Sequence, residues 1–398
     1  MTLMPANRSM SHYCITLLLL LPVYSATAQS PVPRSAKLER IATGFQFVEG
    51  PVWKDSTGLL FSDISGNTVY AWTASAGAQA CVSPSGNSNG LTLDSQGRLI
   101  LTQTGLRRVA RRESNGVETS LASAFGGKKL NSPNDVVVKS DGSIWFTDPP
   151  LNIPAGQKAE LNFSGIFRIS VSGALQLLDS SLTQPNGICF SPDEKRLYVN
   201  NSAERVIYVW DVVQDTLIAN RRRFASMNPG GYADGMKVDS LGNIFSAGPL
   251  GIWVFDPNGT VLDTIVVPGQ TSNCNWGDPD RKTLYITAGT SVYRIRLAVT
   301  AGVGETGENL PAGFELYPNY PNPFNPSTTI RYSVPHRTNI TLLVFNTLGQ
   351  RIATLLEGNQ EAGVHDLKFD GTRLASGVYF YRMHAGDFVR TRRLVLSR

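Results

Sequence analysis

Six stretches of the chain repeat one arrangement: a polar residue, a short apolar run, a turn built on Gly or Asp, and a second apolar run. They open at Glu49 (EGPVWKDSTGLLFSD), Asn89 (NGLTLDSQGRLILT), Asn134 (NDVVVKSDGSIWFTD), Asn186 (NGICFSPDEKRLYVN), Asp234 (DGMKVDSLGNIFSA) and Asn273 (NCNWGDPDRKTLYIT), 39 to 52 residues apart. A period of roughly 40 to 50 residues, with several strands per unit, marks a propeller blade. Six units predict a six-bladed β-propeller. Each hairpin turns on segments such as Ser140-Asp141-Gly142 or Leu241-Gly242-Asn243, where Gly supplies a positive φ. Runs such as LTL, VVV, ICF and MKV suit strands buried between neighbouring sheets. Radial packing of such sheets leaves a central channel that equivalent residues of each blade face at one height. Glu49, Asn134, Asn186 and Asp234 are therefore expected to converge there. The competing explanation is that Asn, Asp and Glu at these starts only satisfy loop backbone groups.

A chain of 398 residues exceeds the size at which one core stops growing, which predicts at least two domains. With 41% hydrophobic residues, 17% charged residues, 37 glycines and no long helical periodicity, it reads as all-β. Residues 1–28 read as a secretory signal: Arg8, an apolar run from Cys14 to Val23, then Ala26-Thr27-Ala28 as a cleavage site, so that the mature chain begins at Gln29. That run is too short to span a bilayer, and no later segment is apolar enough to be a transmembrane helix. Cys81, Cys189 and Cys274 have no CxxC spacing, which argues against zinc ribbons and disulfide scaffolds, and Cys189 and Cys274 read as core residues. The net charge of +5 is not a property of the repeats: from Pro311 onward nine Arg and one Lys oppose six acids, leaving residues 29–310 near neutrality. Nucleic acid is thus not an expected partner.

The repeat stops near Thr300, which sets the propeller at 29–300. Residues 301–313 (AGVGETGENLPAG) read as a linker, and residues 314–398, with short alternating runs such as TTIRYSV, ITLLVFN and GVYFYRM, as a small β-sandwich. The opening from Leu316 to Ile330 (LYPNYPNPFNPSTTI), with GVYFYRM and the ending TRRLVLSR, resembles the C-terminal sorting domain of the type IX secretion system. That resemblance implies export by the type IX machinery, following the Sec signal, to the medium or the cell surface.

The histidines are His12, His336, His365 and His384, so none falls in the propeller. A Ser-His-Asp triad and a His-bearing zinc site are thereby excluded there. What remains is oxygen, two carboxylates and several amides, and such donors from separate loops suit calcium, with Zn2+ or Mg2+ as other divalent candidates. A bound cation can polarise a carbonyl while a carboxylate takes a proton from water, chemistry fit for an ester, lactone or phosphoester.

Five motifs in order, Val48-Glu49-Gly50-Pro51-Val52-Trp53, Leu130-Asn131-Ser132-Pro133-Asn134-Asp135, Gln184-Pro185-Asn186-Gly187, Asp234-Gly235-Met236-Lys237 and Leu284-Tyr285-Ile286-Thr287, resemble the SMP-30/gluconolactonase/regucalcin family across residues 40–297. The resemblance implies Glu49, Asn186 and Asp234 as metal ligands, Asp234 also as proton acceptor, and Asn134 as a pocket residue. Arg107 and Asn131 are further candidate substrate contacts, although Arg107 on a loop also fits a surface charge. Two departures bear on substrate: Thr104 stands where bacterial relatives often carry His, and Ser132 where animal relatives carry Arg. Trp53, Trp145 and Phe146 are expected in blade cores, Asp135 as a loop brace, and Asp63 and Asp148 as turn caps. The expected activity is metal-dependent opening of a sugar lactone. The alternatives are a phosphotriesterase-like or strictosidine-synthase-like propeller enzyme, or a non-catalytic surface-binding propeller.

Overall fold

The computed structural model describes residues 30–227, 231–298, 314–319, 321–335, 338–360, 363–372, 374–386 and 388–397. The expected signal peptide (1–28) and linker (301–313) lie outside them.

The first five repeats each fold, as their alternating pattern requires, into a four-stranded antiparallel meander, the sixth supplies three strands of a sixth sheet, and the described residues between 39 and 296 contain six four-stranded sheets. Their innermost strands are Val48–Lys54, Ser88–Leu93, Val136–Val138, Pro185–Phe190, Met236–Val238 and Thr271–Gly277; four carry their polar opening, and Asn134 and Asp234 lie two residues before the third and fifth. Successive inner strands contact one another in chain order, and the sixth returns to the first. The molecule is therefore a β-propeller with a closed hub. Closure is reinforced at the rim, because Glu39–Thr43 pairs with Ser291–Arg296 as the outer strand of the sixth sheet.

The seams between sheets are the core. Val137, Trp145, Ile188, Leu197 and Trp210 pack between the third and fourth sheets, and Phe245, Cys274, Trp276 and Leu284 between the fifth and sixth. Each fully buried aliphatic or aromatic side chain of this kind contributes about 1.5–3 kcal/mol. Trp145 and Phe146 are wholly buried, and Trp53 stacks on Tyr285 at 5.5 Å across the closing seam. Trp145 and Phe146 are core, and Trp53 is partly buried against its edge. Among the described residues no cysteine is in a disulfide: Cys189 and Cys274 are buried and Cys81 is exposed.

The tail forms a separate pair of sheets. Glu315–Leu316, Ser327–Val334 and Gly363–Asp370 make one; Arg351–Gln360, Thr338–Phe345, Gly377–Ala385 and Phe388–Leu396 make the other. Leu316, Ile330, Leu342, Tyr381 and Leu394 fill the space between them, as in a β-sandwich. Among the described residues no helix is long and apolar enough to cross a membrane.

Candidate active site

The hub is assembled by hydrogen bonds from one sheet to the next. Thr102 Oγ1 donates to the carbonyl of Asn134 (2.6 Å), Thr147 Oγ1 to that of Asn186 (2.7 Å), and Asn200 Nδ2 to that of Asp234. Ser272 Oγ closes the circle on the carbonyl of Val48 at 2.7 Å. Each donor but the last ends the second apolar run of the preceding repeat. The backbones of Asn134, Asn186 and Asp234 are thus fixed by the preceding sheet, which orients their side chains. Close approach also explains the glycine that follows several openings: a Cβ on Gly90 would come within 2.7 Å of the Asn134 carbonyl, and one on Gly187 within 2.5 Å of that of Asp234. In the third repeat Asp135 takes that place. It is buried, its Oδ1 accepts the Val136 N–H at 3.0 Å, and its Oδ2 lies 3.9 Å from Lys237 Nζ.

Glu49, Asn89, Asn134, Asn186 and Asp234 line a single cavity of about 310 Å³ at one end of the hub. Leu151 and Asn152 from the long connection after the third inner hairpin, with Phe47, Ile64, Gln184, Ser202, Tyr232 and Gln270, complete its wall. Glu49 Oε2 accepts from Asn273 Nδ2 (3.0 Å) and Gly50 N (2.6 Å). Burial, then the nearby Asp135 charge, push the Glu49 carboxyl up to about 7. Burial also holds the Asp234 acid well above its ordinary range, with repulsion from Glu49 and Asp135 adding to it. The Asn186 side chain hydrogen-bonds Asp234, yet its buried Oδ1 has no partner.

Two mutually repelling buried carboxylates beside an orphaned amide oxygen are a donor set that fits a hard divalent cation. Among the described residues no group of three or more His, Cys, Asp or Glu side chains is arranged to hold a metal, so a cation here would rest on two carboxylates, one amide oxygen and water.

Residues 47–290 match the SMP-30/gluconolactonase/LRE-like region, and residues 319–397 match a secretion system C-terminal sorting domain. The chain belongs to the SMP-30/gluconolactonase family. It is 35% identical over 291 residues to a gluconolactonase of Zymomonas mobilis, covering 66% of this chain and 82% of that protein. It is 28% identical over 261 residues to the pentonolactonase XacC of Haloferax volcanii, covering 62% and 83% of the two chains. A solved gluconolactonase structure from Xanthomonas campestris superposes with a TM-score of 0.63 at 34% identity, over 66% of this chain and 90% of that one.

Within this SMP-30/gluconolactonase-family site, two expected substrate contacts are placed elsewhere. Arg107 is buried outside the cavity wall, where its Nε donates to the carbonyls of Leu130 (2.7 Å) and Asn131 (3.0 Å) and its Nη1 to Gln157 Oε1 (3.1 Å) and the Lys158 carbonyl (3.2 Å). Asn131 is also outside the wall and fully buried; its Nδ2 donates to the carbonyls of Asp148 and Phe163. Both side chains brace the connection after Asp148, which has few ladder partners of its own, although Arg107 Nη2 and Asn131 Oδ1 stay buried without a hydrogen-bond partner. Ser132 acts alongside them, donating to the Pro149 carbonyl (2.6 Å) and accepting the Asn152 N–H (3.1 Å). Thr104 Oγ1 is held by the Asn87 carbonyl at 2.7 Å. Asp63 caps its turn as expected, accepting from Gln46, Phe47 and Gly66 backbone N–H groups. The hub donors Thr102, Thr147 and Asn200 escaped the sequence reading, although a recurring Ser, Thr or Asn at the end of each second run signals them.

Proposed function

We propose that this chain is an exported hydrolase that opens sugar lactones of the gluconolactone type, with a divalent cation, calcium first, held by Glu49, Asn186 and Asp234. The observation that carries this is the pair of buried carboxylates facing the unpartnered Asn186 Oδ1 on one cavity, in a chain 35% identical to a gluconolactonase. When bound, the cation supplies a Lewis acid for the lactone carbonyl and offsets the negative charge of the site. The Asp234 carboxylate accepts a proton from the water whose oxygen attacks the carbonyl carbon. It returns that proton to the ring oxygen as the ring C–O bond breaks, releasing the hydroxy acid. Asn134 orients the ring through its amide, and the Asn273 amide holds Glu49 in place. The propeller is assigned to residues 29–300 and the sorting domain to residues 314–398; the latter directs the protein through type IX secretion to the surface or the medium.

The test is proton release from gluconolactone, corrected for spontaneous hydrolysis, with and without EDTA. Asp234→Asn is expected to lower turnover about 10²- to 10⁴-fold while melting cooperatively. Undiminished turnover by that variant would remove Asp234 from the chemistry. Faster turnover of an organophosphate triester at matched calcium would favour a phosphotriesterase instead.

A further inference from the structure

A second cavity, of about 240 Å³, adjoins the first, and Tyr232 and Gln270 line both. Backbone at Gly231, Gly248 and Gly269 forms much of its surface, with Leu250 and Thr271. Thr271 is 4% exposed, yet its Oγ1 has no hydrogen-bond partner, and a buried hydroxyl left unpaired is a cost that a ligand can relieve. Tyr232 is 64% exposed, with its ring uncovered at the boundary of the two cavities. Leu250 sits in the left-handed region at φ 71°, a strained setting for a residue with a side chain, and is also largely exposed. Among the described residues no charged side chain lines this second space.

We infer that the second cavity is a subsite for a neutral sugar residue, so that the preferred substrate is the lactone of a disaccharide or longer saccharide and not of a single sugar. This rests on the lactone reading above and deepens it. The first cavity, at about 310 Å³, lies at the small end of ligand pockets and suits one lactone ring. A sugar bonded to that ring needs adjoining space, and the wall shared through Tyr232 and Gln270 leads to it. A pyranose has apolar C–H faces and a polar rim. Tyr232 and Leu250 offer apolar surface for the faces, and Thr271 Oγ1, the Gln270 amide and glycine backbone offer partners for the rim. The uncharged lining gives a uronate or phosphate no counter-charge, which selects a neutral sugar.

The experiment compares kcat/KM for gluconolactone with that for cellobionolactone and maltobionolactone, using the full mature chain. At least one disaccharide lactone is expected to be preferred several-fold. Thr271→Val should lower the disaccharide-to-monosaccharide ratio about three- to tenfold, and Thr271→Ser should restore it, with thermal melts reporting folding of both. Independently of any variant, the open-chain product of the preferred disaccharide lactone should inhibit gluconolactone turnover by the wild type more strongly than gluconate does. A wild-type ratio at or below one, a ratio unmoved in folded Thr271→Val, or equal inhibition by the two acids would overturn the subsite and leave the lactonase reading standing. No turnover of any lactone would overturn both.

Discussion

Asp148 shows what burial does to a carboxyl outside the cavity. Its Oδ2 accepts the Asn131 N–H at 2.8 Å and its Oδ1 is orphaned, while burial pushes the acid up to about 7. The folded chain therefore keeps a proton that the unfolded chain gives up near pH 4, so stability from this group is greatest in acid and falls as pH rises to about 7, then levels off. Asp148→Asn keeps an oxygen for Asn131 and abolishes that slope. Urea melts at pH 4, 6 and 8 should show the variant gaining about 1–3 kcal/mol on the wild type between the lowest and highest pH. Parallel curves for the two proteins would show that Asp148 is ionised in the fold. Glu49 and Asp234 carry the same burial cost, which in the proposed reading a bound cation would offset.

At the scale of elements, the segment from Pro149 to Phe163 is the part of the propeller least like a blade, and it supplies Leu151 and Asn152 to the cavity wall. It is tied down by Arg107, Asn131 and Ser132 rather than by strand pairing. Arg107→Met keeps much of the side-chain volume and removes the hydrogen bonds. Hydrogen exchange should quicken across residues 149–163, KM for the lactone should rise more than kcat falls, and stability should drop by about 1.5–3 kcal/mol. A purely catalytic role for Arg107 would instead lower kcat and leave exchange in the segment untouched.

At the scale of the whole molecule, the sandwich draws its core from its own residues, Leu316 through Leu396, while the propeller is closed on itself by the Ser272 to Val48 hydrogen bond and the Glu39–Thr43 strand. Export and hydrolysis should therefore separate. Deleting residues 314–398 is expected to leave lactonase activity in cell extracts within about twofold of the full chain and to abolish its appearance at the surface or in the medium. Normal export of the truncated protein would sink the sorting assignment.

The strand pattern, the sixfold repeat, the polar openings and the absence of histidine from the propeller were all legible in the sequence, because each is a local or compositional property. Side-chain periodicity is set by the backbone within a few residues, so Glu49, Asn134, Asn186 and Asp234 could be singled out before any fold was known. What tertiary structure alone decided was where long side chains end. Arg107 reaches a carbonyl 51 residues away at Lys158, Asn131 one 32 residues away at Phe163, and Tyr232 and Thr271 meet around a cavity that belongs to no single repeat. Those partners, and the burial that raises Asp148, depend on how sheets and loops pack, and no short stretch of sequence carries that information.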